Sequence, residues 1–236
     1  MKLTAQIVSD LKEVALPEKA EFFPHFFKTG KGQYAEGDLF LGVTVPFQRK
    51  IAKTYWKDIN ASELQKLIHS PFHEVRLTSI FMLVLKYEKS KSIIEKEKWV
   101  GFYLKNKAGV NNWDLVDSSA FQILGAWLFD KNRDLLFELA HANNLWDQRI
   151  SIMSTFYFIK RNDFHTTLQL AEILLNHPHN LIHKAVGWML REIGNRDLDI
   201  ARDFVLKYID KMPRTMLRYA IEKYEEGDRK MILNLD

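Results

Sequence analysis

The sequence predicts an all-α protein, a right-handed α-α superhelix or solenoid of helix pairs with a concave groove. Three observations carry that expectation. Apolar residues recur at helical spacing almost throughout, and strand-like alternation is scarce. Glycine and proline are few and read as punctuation between periodic stretches. From about Ser62 a short amphipathic helix, a turn and a longer helix follow one another repeatedly, so that Arg76, Asp114, Arg149, Lys184 and Arg218 recur about every 35 residues. Such repeats bury their apolar faces against one another, curve, and line a concave face with one helix from each pair.

Taken in order, Thr4 is placed to cap an opening helix that carries Ile7, Val8, Leu11 and Val14. Pro17 opens a second helix, whose Phe22, Phe23, Phe26 and Phe27 are expected in the core. The stretch from Thr29 to Asp38 holds three glycines and matches no Walker or dinucleotide fingerprint, so it reads as an irregular loop. Leu39 to Val45 alternates weakly. Pro46 fits the first position of a third helix with Arg49, Ile51, Ala52, Tyr55 and Trp56. The helix pairs beyond it are Ser62–His69 with His73–Tyr87, Ile94–Asn106 with Trp113–Phe129, Arg133–Ala142 with Asp147–Lys160, Phe164–Asn176 with Leu181–Ile193, and Leu198–Ile209 with Arg214–Tyr224. The aromatic-and-glycine signature of tetratricopeptide repeats is missing, which leaves HEAT-like pairs. No linker-like segment interrupts the pattern. Residues 1–236 are therefore expected to form a single HEAT-like repeat domain, with a helical N-terminal cap and loop over about 1–60 and repeats over about 61–236.

A chain of 236 residues, 47% of them apolar, can bury a large core. It has no cysteine, which excludes disulfides and thiolate metal sites. No apolar run approaches a membrane span, and Met1 to Gln6 shows no hydrophobic signal region, so a cytoplasmic protein without membrane partners is expected. The formal charge of +4 is compatible with nucleic acid. Lys and Arg are interspersed with Asp and Glu, so any basic surface has to be made by folding.

Candidate chemistry gathers on the second helices. Trp113 and Asp117 are four residues apart at the start of a run whose buried stripe is Val116, Ala120, Ile123, Leu124 and Trp127. Asp117 also fits a plain first-turn acid facing the positive end of its helix. Further on, Val186, Met189, Leu190 and Ile193 form a buried stripe, while Lys184, Trp188 and Arg191 share the opposite face. A tryptophan between two cations fits a contact surface; it equally fits packing against a neighbouring helix. Ile150, Met153 and Tyr157 mark another stripe with Arg149 beside it, and in-register repeats would bring Arg149 next to Asp117, at the least as a structural ion pair. Together these residues suit chemistry on a flat cationic or aromatic group attached to a phosphate-bearing scaffold. Tryptophan faces hold a cation, arginine holds phosphate in a bidentate manner, and a carboxylate stabilises positive charge as it develops. His179 and His183 have helical spacing, but Pro178 and the lack of a nearby glutamate make this no HExxH zinc helix. No Gly-x-Ser-x-Gly elbow is present, and His69 and His73 straddle a turn at Pro71.

Three segments, Asn112-Trp113-Asp114-Leu115-Val116-Asp117, Trp146-Asp147-Gln148-Arg149-Ile150 and His183 to Glu192, together resemble the AlkD-type alkylpurine DNA glycosylases. The loop from Phe27 to Tyr34 looks similar too, and the resemblance covers nearly the whole chain. It implies a HEAT-like domain with duplex DNA in its groove, excision of N3- and N7-alkylated purines such as 3-methyladenine and 7-methylguanine in base excision repair, and no metal or organic cofactor. By motif position it implies Asp117 as the catalytic carboxylate, Trp113 and Trp188 lining the lesion site, and Arg149 beside them on the backbone, with Tyr34 a further cleft residue. Gln148 departs from the pattern, which suggests a second basic residue there. Lys184, Arg191 and Arg218, with Lys160 or Arg161, are expected on phosphates. The expected state is a monomer, associated with the nucleoid through DNA. The rival reading is a non-catalytic HEAT-type adaptor for DNA or protein, since solenoids are mostly such modules. Asp117, both tryptophans and Arg149 occurring together favour the enzyme.

Overall fold

A computed structural model describes residues 2–234 of the chain. The described residues are helices, turns and loops, with one isolated bridge between Leu39 and Phe72. The class is all-α. The chain packs into two compact units, one ending at Ser119 and the other beginning at Ala120.

The first unit is built around α5 (His73–Glu88), against which α1 (Leu3–Glu13), α3 (Val45–Tyr55), α4 (Ala61–Ile68), α6 (Ile93–Lys105) and α7 (Trp113–Asp117) pack. Helix α1 starts one residue before Thr4, after Lys2, so Thr4 lies in the first turn and does not cap it. Ile7 and Leu11 are fully buried. Pro17 does open α2 (Pro17–Phe27), where its missing N–H costs nothing. Pro24 lies inside that helix, at a position the punctuation rule did not anticipate. The four phenylalanines of α2 are not all core: Phe27 is 7% exposed, but Phe22 and Phe26 are 52% and 49% exposed. Positions four apart share a face, so Phe23 and Phe27 point inward together while Phe22 and Phe26 form the outer row. Pro46 takes the second position of α3 and Trp56 lies just beyond its end.

The loop between α2 and α3 is tied down by a buried carboxylate. Glu74, 1% exposed on α5, accepts from the backbone N–H groups of Leu41, Gly42 and Val43 at 2.7–3.2 Å. Gly42 has φ +88°, and a Cβ there would fall 2.2 Å from the Leu16 carbonyl oxygen, so only glycine fits. Asn60 and Glu63 form a reciprocal capping box at the start of α4, and Ser92 caps α6.

The second unit repeats helix pairs. α9 (Asp134–His141) packs with α10 (Leu145–Ser154), α12 (His165–Ile173) with α13 (Asn180–Gly194), and α14 (Leu198–Tyr208) with α15 (Arg214–Ala220). Across pairs, α9 meets α12, α10 meets α13, and α13 meets α15, so the second helices form one layer. Gly187 makes the last contact close: a Cβ there would lie 2.5 Å from the Met216 carbonyl oxygen. A helix past Tyr224, α16 (Glu226–Leu233), was not anticipated.

Two expected long helices are interrupted. Over 113–129, α7 ends at Asp117 in the first unit, and the second unit begins with a π turn, Phe121–Gly125, succeeded by α8 (Ala126–Leu128). A π turn adds a residue and so rotates the helix beyond it. Ile123 and Leu124 are buried as expected, but Leu128 replaces Trp127 in the core, and Lys131 covers the Trp127 ring at 4.5 Å. Over 147–160, α10 stops at Ser154 and α11 (Phe156–Ile159) takes over. Ser154 and Thr155 donate their hydroxyls to the carbonyls of Ile150 and Ile152 at 2.6 and 2.7 Å, which loosens the helix there. Phe158 is consequently buried where Tyr157 was expected.

Candidate active site

In the first unit, α7 carries Trp113 and Asp117 one turn apart, both half-buried. The Asn112 side chain accepts from the Trp113 N–H at 2.8 Å and starts the helix. Asp114, not Asp117, is the first-turn acid. The helix-end explanation of Asp117 therefore belongs to its neighbour. The Trp113 ring stacks on Phe27 with centroids 5.4 Å apart and meets Phe26 edge-on at 5.9 Å. Tyr34 is half-buried in the glycine loop.

Asp114 anchors α7 to α5. Its Oδ2 lies 2.8 Å from His73 Nε2, and His73 Nδ1 lies 3.3 Å from Asp38, which also accepts from Arg76 at 2.7 Å. His73 is 1% exposed and packs against the rings of Phe27 and Phe40, with centroids 4.5 and 4.9 Å away. Burial alone would push the His73 pKa down; the facing carboxylate of Asp114, with Asp38, outweighs it and raises the value to about 9. Burial likewise opposes ionisation of Asp38, yet His73 and Arg76 hold it below its ordinary value. His73 is thus a charged link, and it fixes the turn that carries Trp113 and Asp117.

In the second unit, Arg149 is 4% exposed, and its Nη1 donates to the Leu181 carbonyl oxygen at 2.5 Å, joining α10 to the first turn of α13. Val186, Met189, Leu190 and Ile193 are fully buried as expected. Lys184, Trp188 and Arg191 are half-buried on the same helix. The Trp188 Nε1–H donates to Glu192 at 3.1 Å, and its ring lies 6.0 Å from Phe156, which in turn meets Phe121 at 5.2 Å. Lys160 covers both phenylalanines, 4.4 Å from Phe156 and 4.8 Å from Phe121. Trp188 and Lys160 are thereby joined through one aromatic row. Arg161 lies 3.5 Å over the Tyr157 ring. Arg191 is ion-paired with Glu222, and Arg218 is exposed on α15.

The histidines serve the backbone. His179 accepts from the Leu181 N–H at 3.1 Å and caps α13, and His183 bonds the His177 carbonyl. Gln148, where a base was expected, instead bonds His177 Nε2 at 2.8 Å. Burial lowers the pKa of both His177 and His179, followed by the neighbouring imidazoles for His177 and by His183 and Arg149 for His179.

Sequence reasoning missed Asp38, His73, Arg76, Asp114, Phe121 and Phe156. Periodicity marked Arg76 and Asp114 as equivalent repeat positions but held no sign that they share a network. Phe156 stands one helical turn before Lys160, which is a weak signal; Phe121 has no cation on its own stretch, and nothing local marks it.

Among the described residues no helix is long and apolar enough to cross a membrane. A search of curated proteins returned no match. Two solved structures are similar in fold. A predicted DNA alkylation repair enzyme from Enterococcus faecalis aligns with a TM-score of 0.68 at 15% identity, covering 90% of this chain and 97% of its own. AlkD2 from Streptococcus mutans aligns with a TM-score of 0.57 at 14% identity, covering 94% of this chain and 99% of its own. The family model described as DNA alkylation repair enzyme matches residues 7–224. The chain therefore belongs to the DNA alkylation repair enzyme family.

Proposed function

We propose that this protein is a monofunctional DNA glycosylase that hydrolyses the N-glycosidic bond of cationic N3- and N7-alkylated purines in duplex DNA. One observation carries the reading: in an alkylation repair family member, a carboxylate, Asp117, stands one helical turn from an aromatic ring, Trp113. Alkylation at N3 or N7 leaves the purine positively charged. When the bond to C1′ breaks, its electron pair goes to the base, which departs neutral without a general acid. The sugar is left as an oxocarbenium-like cation, as in glycoside hydrolysis. Asp117 stabilises that cation and orients the water that adds to C1′. Trp113 and Trp188 hold the cationic base through their ring faces. Arg149, buried and fixed on the Leu181 carbonyl, supports the first turn of α13 and does not reach a phosphate itself. Lys184, Arg191, Arg218, Lys160 and Arg161 neutralise phosphates, and Tyr34 lies at the edge of the contacted duplex. Residues 1–236 act as a single domain and a monomer on one lesion, with no cofactor.

The test is incubation with a duplex carrying one 7-methylguanine, then an assay for abasic sites. Abasic sites should accumulate with time, and a matched duplex carrying uracil should stay intact, because uracil leaves as an anion that nothing here protonates. Tight DNA binding without release of 7-methylguanine would favour the non-catalytic adaptor.

A further inference from the structure

Within the second unit, Glu192 is out of place on α13 by two measures. It stands in the last turn, where the helix end is negative and a carboxylate is unfavourable. It also shares the helix with Lys184 and Arg191, and an acid among cations that meet phosphate weakens their hold. What engages it is Trp188, one turn earlier. The Trp188 Nε1–H donates to Glu192 Oε1 at 3.1 Å. The other oxygen, Oε2, lies 3.3 Å from Arg196 Nη1, which also donates to the Glu192 carbonyl at 2.8 Å. Each carboxylate oxygen thus has its own partner, and the side chain is 18% exposed. Arg196 is exposed, so water screens its charge. A lysine lies over the rings of Trp56, Trp99 and Trp127, at 5.8, 5.2 and 4.5 Å. Among the described residues no cation lies over the half-buried Trp188, whose ring meets Phe156 at 6.0 Å and whose edge meets Glu192.

We propose that Glu192 is a positioning residue that acts through Trp188 and makes that ring select a cationic base over a neutral one. An indole N–H bonded to a negative carboxylate is polarised, and electron density moves into the ring. The ring faces become more negative, and a cation is held over such a face by electrostatic attraction. A neutral base of the same shape is held by stacking and gains little. Glu192 therefore does two things: it fixes the indole in one orientation through its edge, and it raises the difference in affinity between charged and uncharged purines. Arg196, by holding Oε2, keeps Oε1 aimed at the indole. The inference rests on the reading of Trp188 as a wall for the alkylated purine.

The experiment compares binding of the full chain to two duplexes. One carries 7-methylguanine, a cationic base. The other carries 7-methyl-7-deazaguanine, its neutral isostere. Both have a 2′-fluoro sugar at that position, which destabilises the sugar cation and so prevents excision during the titration. The readout is the ratio of the two Kd values. Wild type should favour the cationic duplex. Glu192→Gln keeps an oxygen for the indole N–H and removes the charge, and it should lower the ratio roughly three- to tenfold. Any gain from removing an acid near phosphates is common to both duplexes and cancels in the ratio. Trp188→Phe removes the N–H, so in that background Glu192→Gln should leave the ratio unchanged. Circular dichroism checks that each variant is folded. An unchanged ratio in Glu192→Gln would reduce Glu192 to a structural brace and overturn the proposal. So would an equal fall in both backgrounds, which would mean that the charge acts through space and not through the indole, or a wild type without preference for the cation. Excision of ordinary 7-methylguanine is scored separately. Excision by wild type with a ratio that Glu192→Gln does not alter removes only this inference. The expected fall in the ratio without excision by wild type removes only the proposed reaction.

Discussion

His73 shows how much depends on one side chain. It is held charged in a nearly dry site by Asp114 and Asp38, with Arg76 opposing and Glu74 nearby on the same helix. Its pKa rises from 6.5 to about 9 on folding. A raised pKa means that the folded state binds the proton more tightly. The stabilisation is fully present below about pH 6.5 and is lost as pH rises through about 9. Asp38 works in the opposite direction: its lowered pKa gives stability that is present above the ordinary 3.8 and lost as pH falls through the folded value. The His73 contribution is roughly 3 kcal/mol at its largest. Replacing His73 by Gln should therefore lower urea stability by a few kcal/mol at pH 6, with Asp38 and Asp114 left facing a neutral group. The difference from wild type should shrink toward pH 9. Parallel stability curves for the two proteins between pH 6 and 9 would show that His73 is not charged in the fold.

At the scale of elements, the second-helix layer rests on close backbone approach. Gly187 lies on α13 where α15 passes, with Met216 and Tyr219 in the path of any side chain. Alanine in a helix interior normally gains about 1 kcal/mol over glycine. Here crowding should outweigh that gain, and Gly187→Ala should destabilise by about 1–2 kcal/mol in urea unfolding. A stabilised variant would mean that the two helices separate freely. The existence of these helices was legible because a buried stripe at helical spacing leaves a strong trace, as with Val186, Met189, Leu190 and Ile193. Their breaks were not. The π turn at Phe121–Gly125 and the stop at Thr155 arise from single hydroxyls and one added residue, which leave the apolar pattern almost unchanged. The candidate site was legible to the same degree. Trp113 with Asp117, and Lys184 with Trp188 and Arg191, are local spacings that a sequence displays. His73 and Asp114 stand far apart in the chain, and nothing local says that one will meet the other. Arg149 has the spacing of a surface contact, yet folding buries it against Leu181.

At the scale of the whole molecule, the formal charge of +4 is too small to hold DNA by itself, so binding has to come from a few placed cations. Lys184→Ala and Arg218→Ala should each weaken binding to damaged and undamaged duplex about equally and reduce the salt slope by about one. Arg191→Ala should weaken it less, because Glu222 already neutralises that guanidinium. Filter binding over a range of salt concentrations measures both. A loss confined to damaged duplex would make these residues readers of the lesion.

Asp117 decides the account. The central measurement is the single-turnover excision rate of 7-methylguanine from duplex DNA by wild type and by Asp117→Asn, which keeps the shape and removes the charge. If Asp117 stabilises the oxocarbenium, the rate should fall roughly 10²–10³-fold, the usual size for one lost electrostatic stabiliser. DNA affinity should stay the same or rise. Excision by Asp117→Asn at a rate near that of wild type would contradict the account and leave Asp117 a structural acid.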